Sequence, residues 1–288
     1  MSVGQAGNGV TVRRLLLGSQ LRRLREAVGV SREDAGYEIR ASESKISRME
    51  LGRVSFKERD VADLLTLYGV LDPQSRAGVL GLVRTANATP WWHGYADVVP
   101  AWFQTYLGFE EAACSLASYE VQYVPGLLQT EEYARAVIRL GWYQAPEEEI
   151  ERRVQVRMRR QQLLVADRAP RLLAVVDEAA LRRPCGGPEV MRGQLERLLE
   201  LGRRPNVVIQ VMPLGFDGLS AESGAFSLLG FPEPDLPDVV YLEQFTSALY
   251  LDRPREVAEY TDTLDRLRAD SLSPERSLEL LAALLRET

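Results

Sequence analysis

Cysteine and histidine are scarce in this chain, and each scarcity closes off a chemistry. Two cysteines, Cys114 and Cys185, lie far apart with no CxxC, and His93 is the single histidine. That excludes the common zinc sites, so no metal is expected. The cysteines read as buried small hydrophobes, a disulfide being unusual in a reducing compartment. A serine or cysteine nucleophile needs a base, and no second imidazole exists to share the work. His93, between Trp92 and Gly94, reads as packed rather than catalytic. Carboxylates such as Asp177, Glu178 and Glu222 are numerous but reveal no pairing in sequence. Gly186–Gly187–Pro188 lacks the form of a phosphate-binding loop and reads as a loop-to-helix turn, so no cofactor is expected. An enzyme is not indicated. No apolar run approaches the ~20 residues that a bilayer span needs. The opening MSVGQAGNGV has neither the charged start nor the apolar centre of a signal peptide. The chain is therefore expected in the cytoplasm, away from membranes, with residues 1–10 as a disordered lead.

Charge is plentiful but divided. The 288 residues carry a formal net charge of −6. Residues 1–70 hold twelve Arg and Lys against nine Asp and Glu, a net of +3, which leaves −9 for residues 71–288. A positive part attached to a negative body suits a polyanion reader whose remainder is repelled from phosphate. An excess of +3 is modest, so a monomer should bind weakly and a homodimer is expected.

The positive part centres on SREDAGYEIRASESKISRMELGR, residues 31–53, which reads as two short helices joined by a tight turn. Ser31 and Ser42 are natural N-caps, and Glu33 and Asp34 complement a helix dipole. In the second helix Ile46, Met49 and Leu51 face inward. Glu43, Ser44, Lys45, Ser47 and Arg48 are left outside, a face of short polar groups and two cations suited to a major groove. These residues, with Gly18, Leu21, Arg22, Leu24, Arg25 and the string Ile46–Ser47–Arg48–Met49–Glu50–x–Gly52–Arg53, resemble the helix-turn-helix of XRE (Cro/CI-type) regulators over residues 12–71. The resemblance implies a structural ion pair between Arg25 and Glu50. It also implies base contacts from Glu43, Ser44, Lys45, Ser47 and Arg48, and a phosphate contact at Arg32. Arg53 and Lys57 join Arg32 as expected phosphate contacts. Lys45 and Arg48 suit guanine edges, Ser44 or Ser47 bases or phosphate, and Glu43 a cytosine amino group or the rejection of wrong sites. The chain departs from the family at Arg40, where the turn usually has Gly, and at Ala35–Gly36, where Leu–Ala is common.

Around that pair, residues 11–27, 57–68 and 72–86 complete an all-α module of five helices, residues 11–87, with Gly29 and Gly69 as helix stops. Residues 88–110 break the pattern and read as an aromatic linker docking on the body. Its Trp91, Trp92, His93, Trp102 and Phe103 either seal the junction or offer a ligand or partner surface. Residues 111–288 read as an α+β domain with about five strands in a mixed or antiparallel sheet. The strands are expected at 114–121, 172–177, 206–212, 225–230 and 238–244. Helices are expected at 129–140, 146–166, 178–182, 188–202, 254–269 and 274–288. The helix at 146–166, acidic first and arginine-rich last, reads as a solvated face rather than a second nucleic-acid patch.

The strings WWHGYADVVPAWFQTYLGFE, YEVQYVPGLLQTEEYARAVI and RPNVVIQVMP resemble a domain of unknown function that follows an XRE-type motif in actinobacterial regulators of WhiJ and antitoxin-like type. The resemblance implies a transcription regulator whose C-terminal domain receives a signal, often encoded beside a small partner protein. Relatives often carry Gly–x–His after the NVVIQVMP string; this chain has Asp217–Gly218–Leu219–Ser220, so no role passes from that histidine. The expected function is sequence-specific regulation through double-stranded DNA, with residues 42–51 as the recognition helix. One alternative is an antitoxin-like module that captures a small protein and autoregulates its operon. Another is a sensor whose small-molecule effector enters a pocket along residues 91–109.

Overall fold

Leucine and valine at helical spacing draw the first five helices onto a single apolar cluster. The computed structural model describes residues 12–215, 224–232 and 236–288. The expected lead at 1–10, the Asp217–Gly218–Leu219–Ser220 loop and Glu222 lie outside these. Helices α1 (Val12–Ala27), α2 (Arg32–Glu38), α3 (Glu43–Glu50), α4 (Glu58–Leu67) and α5 (Pro73–Asn87) come first. They bury Leu17, Leu21, Ile39, Ile46, Met49, Val61, Leu64 and Val83 together. Ser31, Ser42 and Asp72 cap α2, α3 and α5 by accepting from the backbone N–H three residues on.

Four of these helices end alike. Val30 N donates to Arg25 O, Ala41 N to Gly36 O, Arg53 N to Arg48 O and Val70 N to Leu65 O. Each closure turns on a left-handed residue: Gly29, Arg40, Gly52 and Gly69. Glycine enters that region freely and arginine does not, so Arg40, at φ 52°, is the exception.

The segment expected as a linker is itself mostly helical. A 3-10 turn at Trp91–Tyr95 leads to α6 (Ala101–Ala112), which Pro100 opens. Tyr106 and Phe109 of α6 enter the main core of the body. His93 is exposed, which corrects the reading of a packed histidine. In a 3-10 turn residues three apart share a side, so the buried Trp92 and half-buried Tyr95 leave His93 pointing out.

Among the described residues the body holds six strands where about five were expected. They are β1 (Ser115–Glu120), β2 (Arg171–Asp177), β3 (Val207–Met212), β4 (Phe226–Gly230), β5 (Val239–Glu243) and β6 (Ala248–Leu251). The sheet order is β3-β2-β1-β4-β5-β6. β1 pairs parallel with β2, and β2 with β3, while β1–β4, β4–β5 and β5–β6 are antiparallel, so the sheet is mixed. Between the strands run α7 (Glu131–Gly141), α8 (Glu147–Arg160), α9 (Glu178–Arg182) and α10 (Pro188–Leu201), and after them α11 (Pro254–Asp270) and α12 (Pro274–Glu287). Alternation sorts the strand residues. Leu172, Ala174 and Val176 face a core shared with α6, α7, α10 and α12, whereas Leu173 and Val175 face α11. Cys185 is buried, but Cys114 is exposed and is not the small core residue expected.

The arginines of α8 are not a solvated face. Arg160 grips Glu110 of α6 through both oxygens, at 2.8 and 2.7 Å. Arg152 pairs with Asp97, Arg153 bonds Glu149 and the Val98 carbonyl, and Arg159 lies over the Trp91 ring. They tie the aromatic segment to the body, because α8 packs along it.

Candidate nucleic-acid interface

Helix α3 is eight residues long, and too few of its own hydrogen bonds hold it for independent stability. Its position comes from below. Ile46 and Met49 are 1% and 2% exposed, packed among Leu17, Leu21 and Leu64. Gly18 of α1 lets the two helices approach closely, since a Cβ there would meet Met49 O at 2.5 Å. Gly52 does the same at the far end, where a Cβ would meet Leu15 N at 2.7 Å. Asn87 fastens the loop beyond α3: its side chain accepts from Phe56 N and donates to Phe56 O.

A buried ion cluster fixes the remaining side of α3. Arg25 Nε donates to Glu50 Oε1 at 2.6 Å and Arg25 Nη2 to Glu50 Oε2 at 3.2 Å. A further guanidinium N–H donates to Val30 O. The hydrogen bond to Glu50 raises the Arg25 pKa, against the opposing effect of burial. Burial, with Glu50 adding to it, pushes the neighbouring Tyr68 hydroxyl up to about 12. Arg32, read as a phosphate contact, donates to Glu50 Oε2 at 2.9 Å, so its guanidinium belongs to this cluster. The first turn of α2 sits beside the C-terminal end of α3, and that places Arg32 within reach of the carboxylate.

The outward residues divide. Glu43, Ser44 and Arg48 are exposed, and Ser47 is half-buried. Among the described residues Arg48 Nε makes one long hydrogen bond, 3.3 Å, to Ser44 O. Lys45 differs from the reading as a guanine contact: its Nζ is 2.6 Å from Asp60 Oδ2 on α4, with the lysine side chain 31% exposed. Sequence reasoning missed Asp60 because the partner lies on another helix. Arg53 and Lys57 are exposed beyond α3. Also exposed is Tyr37, at 87%, near the turn ahead of α3.

The aromatic set is divided between two apolar clusters. Trp92 is buried with Val98, Val99, Leu107 and Val156, and Trp91 packs against that cluster. Trp102 and Phe103 pack on the main core, and the Trp102 carbonyl accepts from Tyr250 OH at 2.6 Å. The small gap between the helical module and the body is bordered by Val12, Trp92 and Gly108, and Arg13 crosses it to Glu111 at 2.7 Å. Along residues 91–109, where a pocket was expected, these side chains pack against neighbouring apolar residues.

Residues 16–77 match the model of a helix-turn-helix domain. Residues 103–283 match the model described as a domain of unknown function (DUF5753). No curated protein and no solved structure is significantly similar to the chain. The second match spans more than half of the sequence, and the chain thus belongs to the DUF5753 family, with a helix-turn-helix domain preceding the family's own domain.

Proposed function

We propose that this protein is a sequence-specific DNA-binding transcription regulator, with α3 as the helix that enters the major groove. The observation that carries the reading is the outward face of α3. Glu43, Ser44 and Arg48 project from a helix whose opposite face is sealed in the core and whose end is fixed by a buried carboxylate. Such a helix can present side chains to base edges without rearranging. Arg48 is the guanine reader in this proposal. Lys45 joins it only by releasing Asp60, while Arg53 and Lys57 contact phosphates. A homodimer supplies two half-sites about one helical turn, roughly 34 Å, apart. The acidic body stays clear of the duplex and receives the regulatory signal.

Selection of bound sequences from random duplexes, followed by titration of the selected site, tests this. Replacing Arg48 by Ala should weaken binding by about 1–3 kcal/mol and relax preference at one base position. Unchanged affinity and an unchanged preference would remove α3 from the groove.

A further inference from the structure

We propose that Arg40 is a DNA-backbone contact at the leading end of α3, an inference that rests on the DNA-binding reading above. Two cations near α3 are engaged within the chain, Arg32 with Glu50 and Lys45 with Asp60. Neutralisation of phosphates close to α3 therefore falls to other groups. Arg40 is exposed two residues ahead of the N-cap Ser42, and among the described residues no hydrogen bond or ion pair engages its guanidinium. It borders an open depression of about 580 Å³ with Tyr37, Glu38, Ala41 and Ser42, roomy enough for a phosphodiester unit. Guanidinium N–H groups bond phosphate oxygens in a bidentate fork, and the Tyr37 hydroxyl is a further donor on the same rim.

The backbone points the same way. Arg40 holds φ 52° at a helix end of the kind that Gly29, Gly52 and Gly69 close elsewhere in the module. Glycine would occupy this position without strain, so an arginine here stands against a conformational preference. The acids Glu38 and Glu43 flank it, which weakens any diffuse attraction and makes direct bonding the means of contact.

The test uses the full chain and three variants, Arg40→Gly, Arg40→Gln and Arg48→Ala, titrated against the selected duplex and a scrambled one over a range of salt. Arg40→Gly should raise the unfolding midpoint yet weaken binding three- to tenfold on both duplexes, with the salt slope smaller by about one. Arg40→Gln should show the same loss of affinity without the gain in stability, which separates charge from strain relief. Arg48→Ala should lose affinity chiefly on the selected duplex. If both Arg40 variants keep the affinity and salt slope of the parent while Arg48→Ala is impaired, Arg40 is not a contact and the DNA-binding reading stands. If the parent shows no salt-dependent affinity for any duplex, the DNA-binding reading itself fails, and the role of Arg40 with it.

Discussion

At the scale of single residues, Glu50 governs how α3 is held. Its side chain is 3% exposed and accepts from Arg25, itself 8% exposed, and from Arg32. A carboxylate so placed is tolerable only while its guanidinium partners remain. Arg25→Ala should therefore destabilise the helical module by about 3–5 kcal/mol, the range for stranding a buried charge. Urea unfolding of parent and variant checks it, and a loss under 1 kcal/mol would show that Arg32 and water suffice. The family resemblance alone suggested Arg25 and Glu50 as partners. Nothing in the sequence separated Arg32 and Lys45 from the outward cations, because helical spacing gives the face of a residue and not its partner. Their carboxylates lie 18 and 15 positions away, on elements whose packing decides the distance.

Among elements, the helix ends show how glycine acts in two separate ways. Gly52 and Gly69 both hold positive φ, at 64° and 74°. A Cβ on Gly69 would meet nothing within 4 Å, whereas one on Gly52 would press on the backbone of α1. Gly69→Ala should cost about 1–2 kcal/mol, the conformational term alone. Gly52→Ala should exceed it by a further 1–3 kcal/mol, since backbone cannot step aside as a flexible side chain can. Equal unfolding midpoints for the two variants would contradict the close approach of α1 to that turn. Five strands and most of the helices were legible to within a few residues, because period-2 and period-3.6 patterns survive where one face is buried. β6 was not, since its four residues are half-exposed at the sheet edge, with Leu249 at 55%, and carry no alternation to read. α6 was hidden by its aromatic content: Trp102, Phe103 and Tyr106 suggest a docking loop, although Pro100 at its start is a helix signal. The outward face of α3 was readable in outline, and the turn ahead of it was flagged only by Arg40 standing where glycine is usual.

On the scale of the whole molecule, the sheet and two helices bring unlike charges to one place. β1 and β5 both run antiparallel to β4, so Glu120 and Glu243 leave the sheet at the same end. By alternation both carboxylates share the face of Tyr241, toward α6 and α8. There they meet the Arg160–Glu110 pair and Arg157, which donates to Gln129 at 2.9 Å. Burial lifts the Glu120 carboxyl to about 7, and Glu243 adds to the rise while Arg157 opposes it. Burial likewise lowers Arg157 to about 10. The consequence for stability has a definite sign. Between its ordinary pKa, about 4.5, and about 7, Glu120 binds a proton in the folded protein that the unfolded chain has lost. Stability is then fully supported below pH 4.5 and declines as pH rises through 7. The decline attributable to this one group is at most about 3 kcal/mol. Glu120→Gln keeps the shape and removes the titration. The variant should gain stability relative to the parent as pH rises from 5 to 8, read as diverging urea midpoints. Midpoints that run parallel across that interval would mean that Glu120 is ionised in the folded state throughout, with solvent or Arg157 compensating its charge.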